Sequence, residues 1–161
     1  MSSLRVLEEF FGEDRHSILF TSRPEAIPGD LRISWRLSAI CLILDKFRSQ
    51  KSQLDQLHIM WWAIRADESR KMFLRWFSDN KRPDEAIVRF DPSLSSTVDL
   101  ALGQGLVVQQ RSGSIALTGA GKALARRVRE TKGVFLEEKD FLNQIPGKLT
   151  QRAVKDVPEW N

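Results

Sequence analysis

Cysteine and histidine are scarce in this sequence. Its 161 residues include one cysteine, Cys41, and two histidines, His16 and His58. Together they fall short of the four ligands that a closed Cys/His zinc site takes, and a single cysteine forms no internal disulfide. Cys41 stands in the apolar run AICLILDKF and is expected to serve as a small core residue. Long apolar runs are missing as well, and none reaches the roughly 18 residues of a membrane-spanning helix. The opening stretch MSSLRVLEEFFGEDR mixes acids into its apolar residues, unlike a secretory leader. Neither an internal repeat nor a low-complexity tract interrupts the chain. The expectation from these absences is a cytosolic protein that holds no metal or other cofactor and enters no membrane.

What is present suits one compact domain. Hydrophobic residues make up 42% of the chain, enough for a substantial core. The net charge is +4, and its placement says more than its size. Residues 1–100 carry fifteen basic and fifteen acidic side chains, so the whole excess falls in 101–161. Arg111, Lys122, Arg126, Arg127, Arg129 and Lys132 stand there against Glu130 alone between 111 and 132. A polyanion contact is to be sought in that stretch.

Periodicity lays out the elements. Residues 1–33 read as an N-terminal arm, with the connector SRPEAIPGD rich in turn formers. From 34 to 161 a mainly helical domain is expected. Ser34 is the expected cap of a helix from Trp35 to about Arg48, apolar on most faces and therefore central. After the break RSQK, Ser52 with Asp55 suggests a capping box before the helix QLDQLHIMWWAIRA. Asp67 or Glu68 opens ESRKMFLRWFSDN, and AIVRF at 86–90 reads as a short strand. Asp91-Pro92 starts another helix, ending at Gly103 or Gly105. LVVQQ, RSGS and IAL form a hairpin with Gly113 at its tip. Thr118 caps GAGKALARRVRETK, Gly133 stops it, and VFLEEKDFLNQI and KLTQRAVKDV supply C-terminal helices.

The segment LTGAGK invites a phosphate-loop reading, which its spacing excludes. That loop requires glycine at 116 and a hydroxyl at 123, and the chain has Ala116 and Ala123. Gly119 and Gly121 are instead expected to let the backbone turn sharply between hairpin and helix. Helix, short strand, helix, hairpin and helix in this order read as a winged-helix core with additional N- and C-terminal helices. In that arrangement the helix before the hairpin faces the groove of a duplex and the hairpin is the wing.

Candidate contacts to a DNA backbone are Arg111 at the wing and Lys122, Arg126 and Arg129 along one helical side. A solvated helix face is the alternative for that stripe. SLSSTVDLALGQG has no Arg, Lys or Asn and carries Asp99, so side chains that read base edges are nearly absent. Trp61 and Trp76 fit core packing better than base stacking. His58, Trp62 and Arg65 share a second face of their helix and form a candidate partner interface. A helix sandwiched inside its own domain is the competing reading. Catalytic residues are not evident. Asp84 with Glu137-Glu138-Lys139 mimics a nuclease triplet, but the triplet stands at helical spacing with Phe135, Leu136, Phe141 and Leu142, where that chemistry needs a strand.

Four stretches together carry a resemblance: TSRPEAIPGDLRISWRLSAICLILDKFR, SQLDQLHIMWWAIR, IALTGAGKALARRV and VFLEEKDFLNQIPGKLTQRAVKDV. The pattern, covering about residues 21–157, resembles the middle component of bacterial ABC-three-component systems, and most of all the small subunit of Lamassu defence complexes. No invariant catalytic motif is part of it, and Pro146 in IPGKLT departs from it before the last helix. The resemblance implies a non-enzymatic winged-helix accessory subunit that bridges or clamps an SMC-like ATPase. A separate nuclease or other effector subunit would do the chemistry, and the complex would act against phage or plasmids on sensing foreign double-stranded DNA. A winged-helix transcription regulator is the alternative, disfavoured by the cation-poor helix. A small enzyme comes third for want of a site.

Overall fold

A computed structural model describes residues 32–78 and 91–154, with the backbone of 88–89 and 159–160. The expected arm at 1–33 therefore lies outside the described residues except for its last two. The elements are helices α1 (Ile33–Lys46), α2 (Leu54–Arg65), α3 (Asp67–Ser78), α4 (Pro92–Gly103), α5 (Gly119–Glu130), α6 (Leu136–Gln144) and α7 (Gln151–Val154). The strands are β1 (Lys51–Ser52), β2 (Val88–Arg89), β3 (Val107–Gln109), β4 (Ile115–Leu117) and β5 (Glu159–Trp160). The described chain is mainly helical with a small antiparallel sheet, as its periodicity predicts.

Helix α1 is the centre. Ala39 through Leu44 are all buried without a break, so this helix has neighbours on every side. It packs against α2, α4, α5 and the sheet. Its apolar run has no polar strip to turn outward, and that composition dictates the central position. Trp61 and Trp76 are buried among these helices, as core packing requires. Phe73 lies against Trp76, Phe77 and Phe141, with ring centroids 5.7–5.9 Å apart, which fastens α3 to α6.

The sheet has the order β1–β4–β3, antiparallel throughout. Its edge strand β1 comes from the segment that reads in sequence as a mere break. Two residues are too few to show a strand period. The AIVRF segment does contain a strand, but β2 pairs in parallel with β5 rather than joining the hairpin. Ser52 is consequently not a cap, because its backbone belongs to β1. Gln53 caps α2 instead, in a box with Gln56. At α1 the helix begins at Ile33, with Arg32 at the cap position and no side-chain cap, so Ser34 lies inside the first turn.

The LTGAGK junction has a different reason from the one its glycines suggest. Neither Gly119 nor Gly121 has a positive φ, and both belong to α5. A Cβ on Gly121 would stand 2.1 Å from the Leu106 carbonyl oxygen, so glycine is needed for close approach of helix and strand. Thr118 makes the turn: its hydroxyl accepts from the Gly121 amide at 3.2 Å and donates to the Gly105 carbonyl at 2.6 Å.

Candidate functional site

Asp91 organises the start of α4. One carboxylate oxygen caps the helix, accepting from the Ser93 amide at 2.9 Å. The other accepts from the Trp61 indole at 3.0 Å and pairs with Arg65. Burial alone would raise the Asp91 carboxyl, but the hydrogen bonds from Ser93 and Trp61 and the Arg65 charge outweigh it and hold it below the ordinary carboxylate value. Arg36 of α1 also donates to the Ser93 carbonyl and lies 5.8 Å from the Trp61 ring centroid. Trp35 meets Trp61 edge-on at 5.9 Å and stacks on Phe135 at 5.7 Å. The N-terminus of α4 is thus pinned to α1 and α2 by charge, indole and guanidinium together.

That anchoring fixes which face of α4 reaches solvent. Leu94, Thr97, Val98 and Ala101 are buried. Pro92, Ser96, Asp99 and Gly103 form the exposed face at spacings of four, three and four. It offers a hydroxyl and a carboxylate, and no cation.

The hairpin is tied to the beginning of α2. The Gln53 side-chain amide donates through Nε2 to the Ser114 hydroxyl at 3.0 Å, and Lys51 reaches Gln110 at 3.4 Å. Arg111 is exposed at the turn. On α5, Gly121, Ala125 and Val128 face inward, leaving Lys122 and Arg126 exposed. Arg129 departs from the expected free stripe. It pairs at 2.6 Å with Asp45 of α1, whose side chain is only 8% exposed. Buried Asp45 needs a cation, and the stripe's third member answers that need.

The other sequence-derived trio, His58, Trp62 and Arg65, does share one side of α2. His58 is buried, its imidazole pushed down by desolvation against the opposing pull of Asp91 and Asp55. Trp62 is half-buried against the core, and Arg65 is engaged with Asp91. Arg65 is the exposed member of the trio and Trp62 is partly exposed, so these two present side-chain surface and His58 does not.

Glu137, Glu138 and Lys139 lie on α6, where the spacing puts them. Glu137 pairs with the buried Arg70 and Lys139 donates to the Thr131 carbonyl, so both have local roles. Asp84 lies outside the described residues. Among the described residues no three His, Cys, Asp or Glu side chains gather into a metal-binding group, and no helix is long and apolar enough to cross a membrane. Sequence reasoning passed over Lys46 and Lys148, which meet Arg129 and Lys139 in a common cleft. The chain offers no local signal for that meeting, since the residues are spread over about a hundred positions.

Comparison with known proteins finds no matching family model, curated protein or solved structure.

Proposed function

We propose that the chain is a winged-helix protein acting as a non-catalytic accessory subunit of an SMC-like ATPase complex in defence against phage or plasmids. In this reading it bridges the ATPase and a nuclease or other effector subunit, and its cations touch the DNA backbone. The observation that carries the reading is the exposed face of α4. In a winged helix this face lies toward the partner, and here Ser96 and Asp99 replace the Arg, Lys and Asn that read base edges. A carboxylate on that face is repelled by a duplex and tolerated by a protein.

Further support comes from the strand order β1–β4–β3, with α4 leading into the hairpin, and from the resemblance to the small Lamassu subunit. Exposed Lys122, Arg126 and Arg111 suit weak, sequence-independent contacts to phosphates. The partner interface includes Trp62. A transcription regulator sharing the architecture would need the base-reading residues that α4 lacks. Fold alone carries no activity, so the test is of partners. The tagged chain is isolated from cells of its source and its companions are identified by mass. An SMC-like ATPase in stoichiometric amount is expected. A lone homodimer that protects a palindromic site from nuclease digestion would replace this reading with the regulator.

A further inference from the structure

A cleft of about 240 Å³ lies between α1, α5, α6 and the loop leading to α7. Lys46, Arg129, Lys139 and Lys148 line it, with Asp45 as its one carboxylate. Asn143 and Gly147 add polar and backbone surface, and Leu42 and Leu142 form an apolar floor.

The cations are held in place by the backbone. Lys46 donates to the Ile145 carbonyl at 2.7 Å, Lys148 to the Asp45 carbonyl at 2.7 Å, and Lys139 to the Thr131 carbonyl at 2.6 Å. Each of these carbonyls stands in the last turn or at the C-cap of a helix: α6, α1 and α5 in turn. Three helix ends meet at one place, and each receives an ammonium. The Asp45 carboxylate is itself committed, one oxygen to Gln50 at 2.7 Å and the other to Arg129 at 2.6 Å.

The charge does not balance. Four cations surround one carboxylate. Three helix C-termini contribute about −0.5 each, roughly −1.5 in all, which leaves about +1.5 in the cleft. Among the described residues, no carboxylate pairs with Lys46, Lys139 or Lys148. Burial, and then the Lys148 charge, push the Lys46 ammonium down in pKa. An ammonium has three donors, and the backbone takes one from each lysine. Donors then remain on several sides of a preformed cavity, the arrangement that a tetrahedral oxyanion requires. At about 240 Å³ the cleft has room for a phosphate group with part of what it is attached to.

We infer that this cleft is a binding site for a phosphate group, held by Lys46, Arg129, Lys139 and Lys148. It lies apart from the exposed α4 face, and the inference does not rest on the accessory-subunit reading. Two sources supply the chemistry, a free phosphate compound or a phosphate of a nucleic-acid backbone.

The test is amide NMR of the full chain titrated with inorganic phosphate, then pyrophosphate, at ionic strength matched with sodium chloride. Shifts are expected at Arg129, Asn143, Gly147 and Lys148. The double variant Lys139→Gln/Lys148→Gln is expected to bind at least about ten-fold more weakly, and Lys71→Gln/Arg75→Gln, at exposed positions of α3, to bind like the unaltered chain. If the cleft variant unfolds, thermal melts of the unaltered chain decide: pyrophosphate raises Tm above the matched chloride control when the site exists. A duplex of arbitrary sequence that displaces phosphate from the same amides identifies a backbone phosphate as the source; a duplex that leaves them unchanged identifies a small phosphate compound. Shifts confined to the exposed face of α5, or equal affinity in a folded cleft variant, overturn the inference.

Discussion

The Trp61 indole donates to the Asp91 carboxylate at 3.0 Å across thirty residues of sequence, joining the middle of α2 to the cap of α4. The same oxygen pairs with Arg65. One aspartate thereby serves as helix cap, indole acceptor and counter-ion, and the face that α4 shows to solvent depends on it. Asp91→Ala is expected to lower stability by about 2 kcal/mol or more in denaturant unfolding, since a cap alone is worth about 1. In a cycle with Trp61→Phe, the two changes are expected to couple by about 0.5–3 kcal/mol. Additive effects would mean the indole bond carries no stability.

Two glycines two residues apart are expected to behave oppositely. Gly121→Ala forces a Cβ to 2.1 Å from the Leu106 carbonyl oxygen and 2.8 Å from the Leu117 side chain. A loss of about 1–3 kcal/mol follows. Gly119 has open space around its Cβ direction, so Gly119→Ala leaves stability unchanged or improves it by a few tenths to about 1 kcal/mol. Thermal melts of the pair separate close approach from turn formation as the reason for this motif.

The helices were largely legible in the sequence, because α1, α3 and α4 announce themselves by burial pattern, by amphipathic spacing and by Asp91-Pro92. The hairpin was legible from its turn at Gly113, whose φ is +83°. The third strand was not, since Lys51–Ser52 is fixed by pairing with Ile115 and Ala116, a long-range contact. The same limit applies to the candidate sites. Lys122, Arg126 and Arg111 are exposed as charge patterning suggests, whereas Arg129 is committed to Asp45, a residue 84 positions away. A helical wheel of α5 shows which side Arg129 takes and not what waits there.

Arg129→Ala is accordingly expected to destabilise the fold, because it leaves the Asp45 carboxylate buried with Gln50 as its remaining side-chain partner. Lys122→Ala and Arg126→Ala, both at exposed positions, are expected to change stability by less than about 0.5 kcal/mol. Urea midpoints of the three single variants check the contrast.

Cys41 makes a built-in reporter of unfolding. Burial, and then the Asp45 charge, push its thiol up to about 12. Thiolate is the reactive form, so thiol reagents at neutral pH are expected to leave the native chain unmodified and to label it once on unfolding. Rapid labelling under native conditions would contradict the burial of α1.

His58 predicts an acid limb. Its folded-state value is lowered, so the unfolded chain binds the proton first on acidification. Stability is then full above the ordinary imidazole value of about 6.5 and falls as pH drops below it toward the folded value. Asp91, also lowered, removes stability only at more acid pH, from about 4 downward. His58→Gln is expected to flatten the first decline and leave the second, as followed by denaturant titrations at a series of pH values.

The central claim concerns company rather than chemistry, and light scattering on a size-exclusion column tests it most directly. The chain is mixed with the SMC-like ATPase that the pull-down identifies or that a neighbouring gene encodes. The account predicts one stoichiometric peak, weakened by Trp62→Glu in a variant whose own melt shows it folded. Separate elution of the two proteins, with the chain alone forming a dimer on a palindromic duplex, would contradict it.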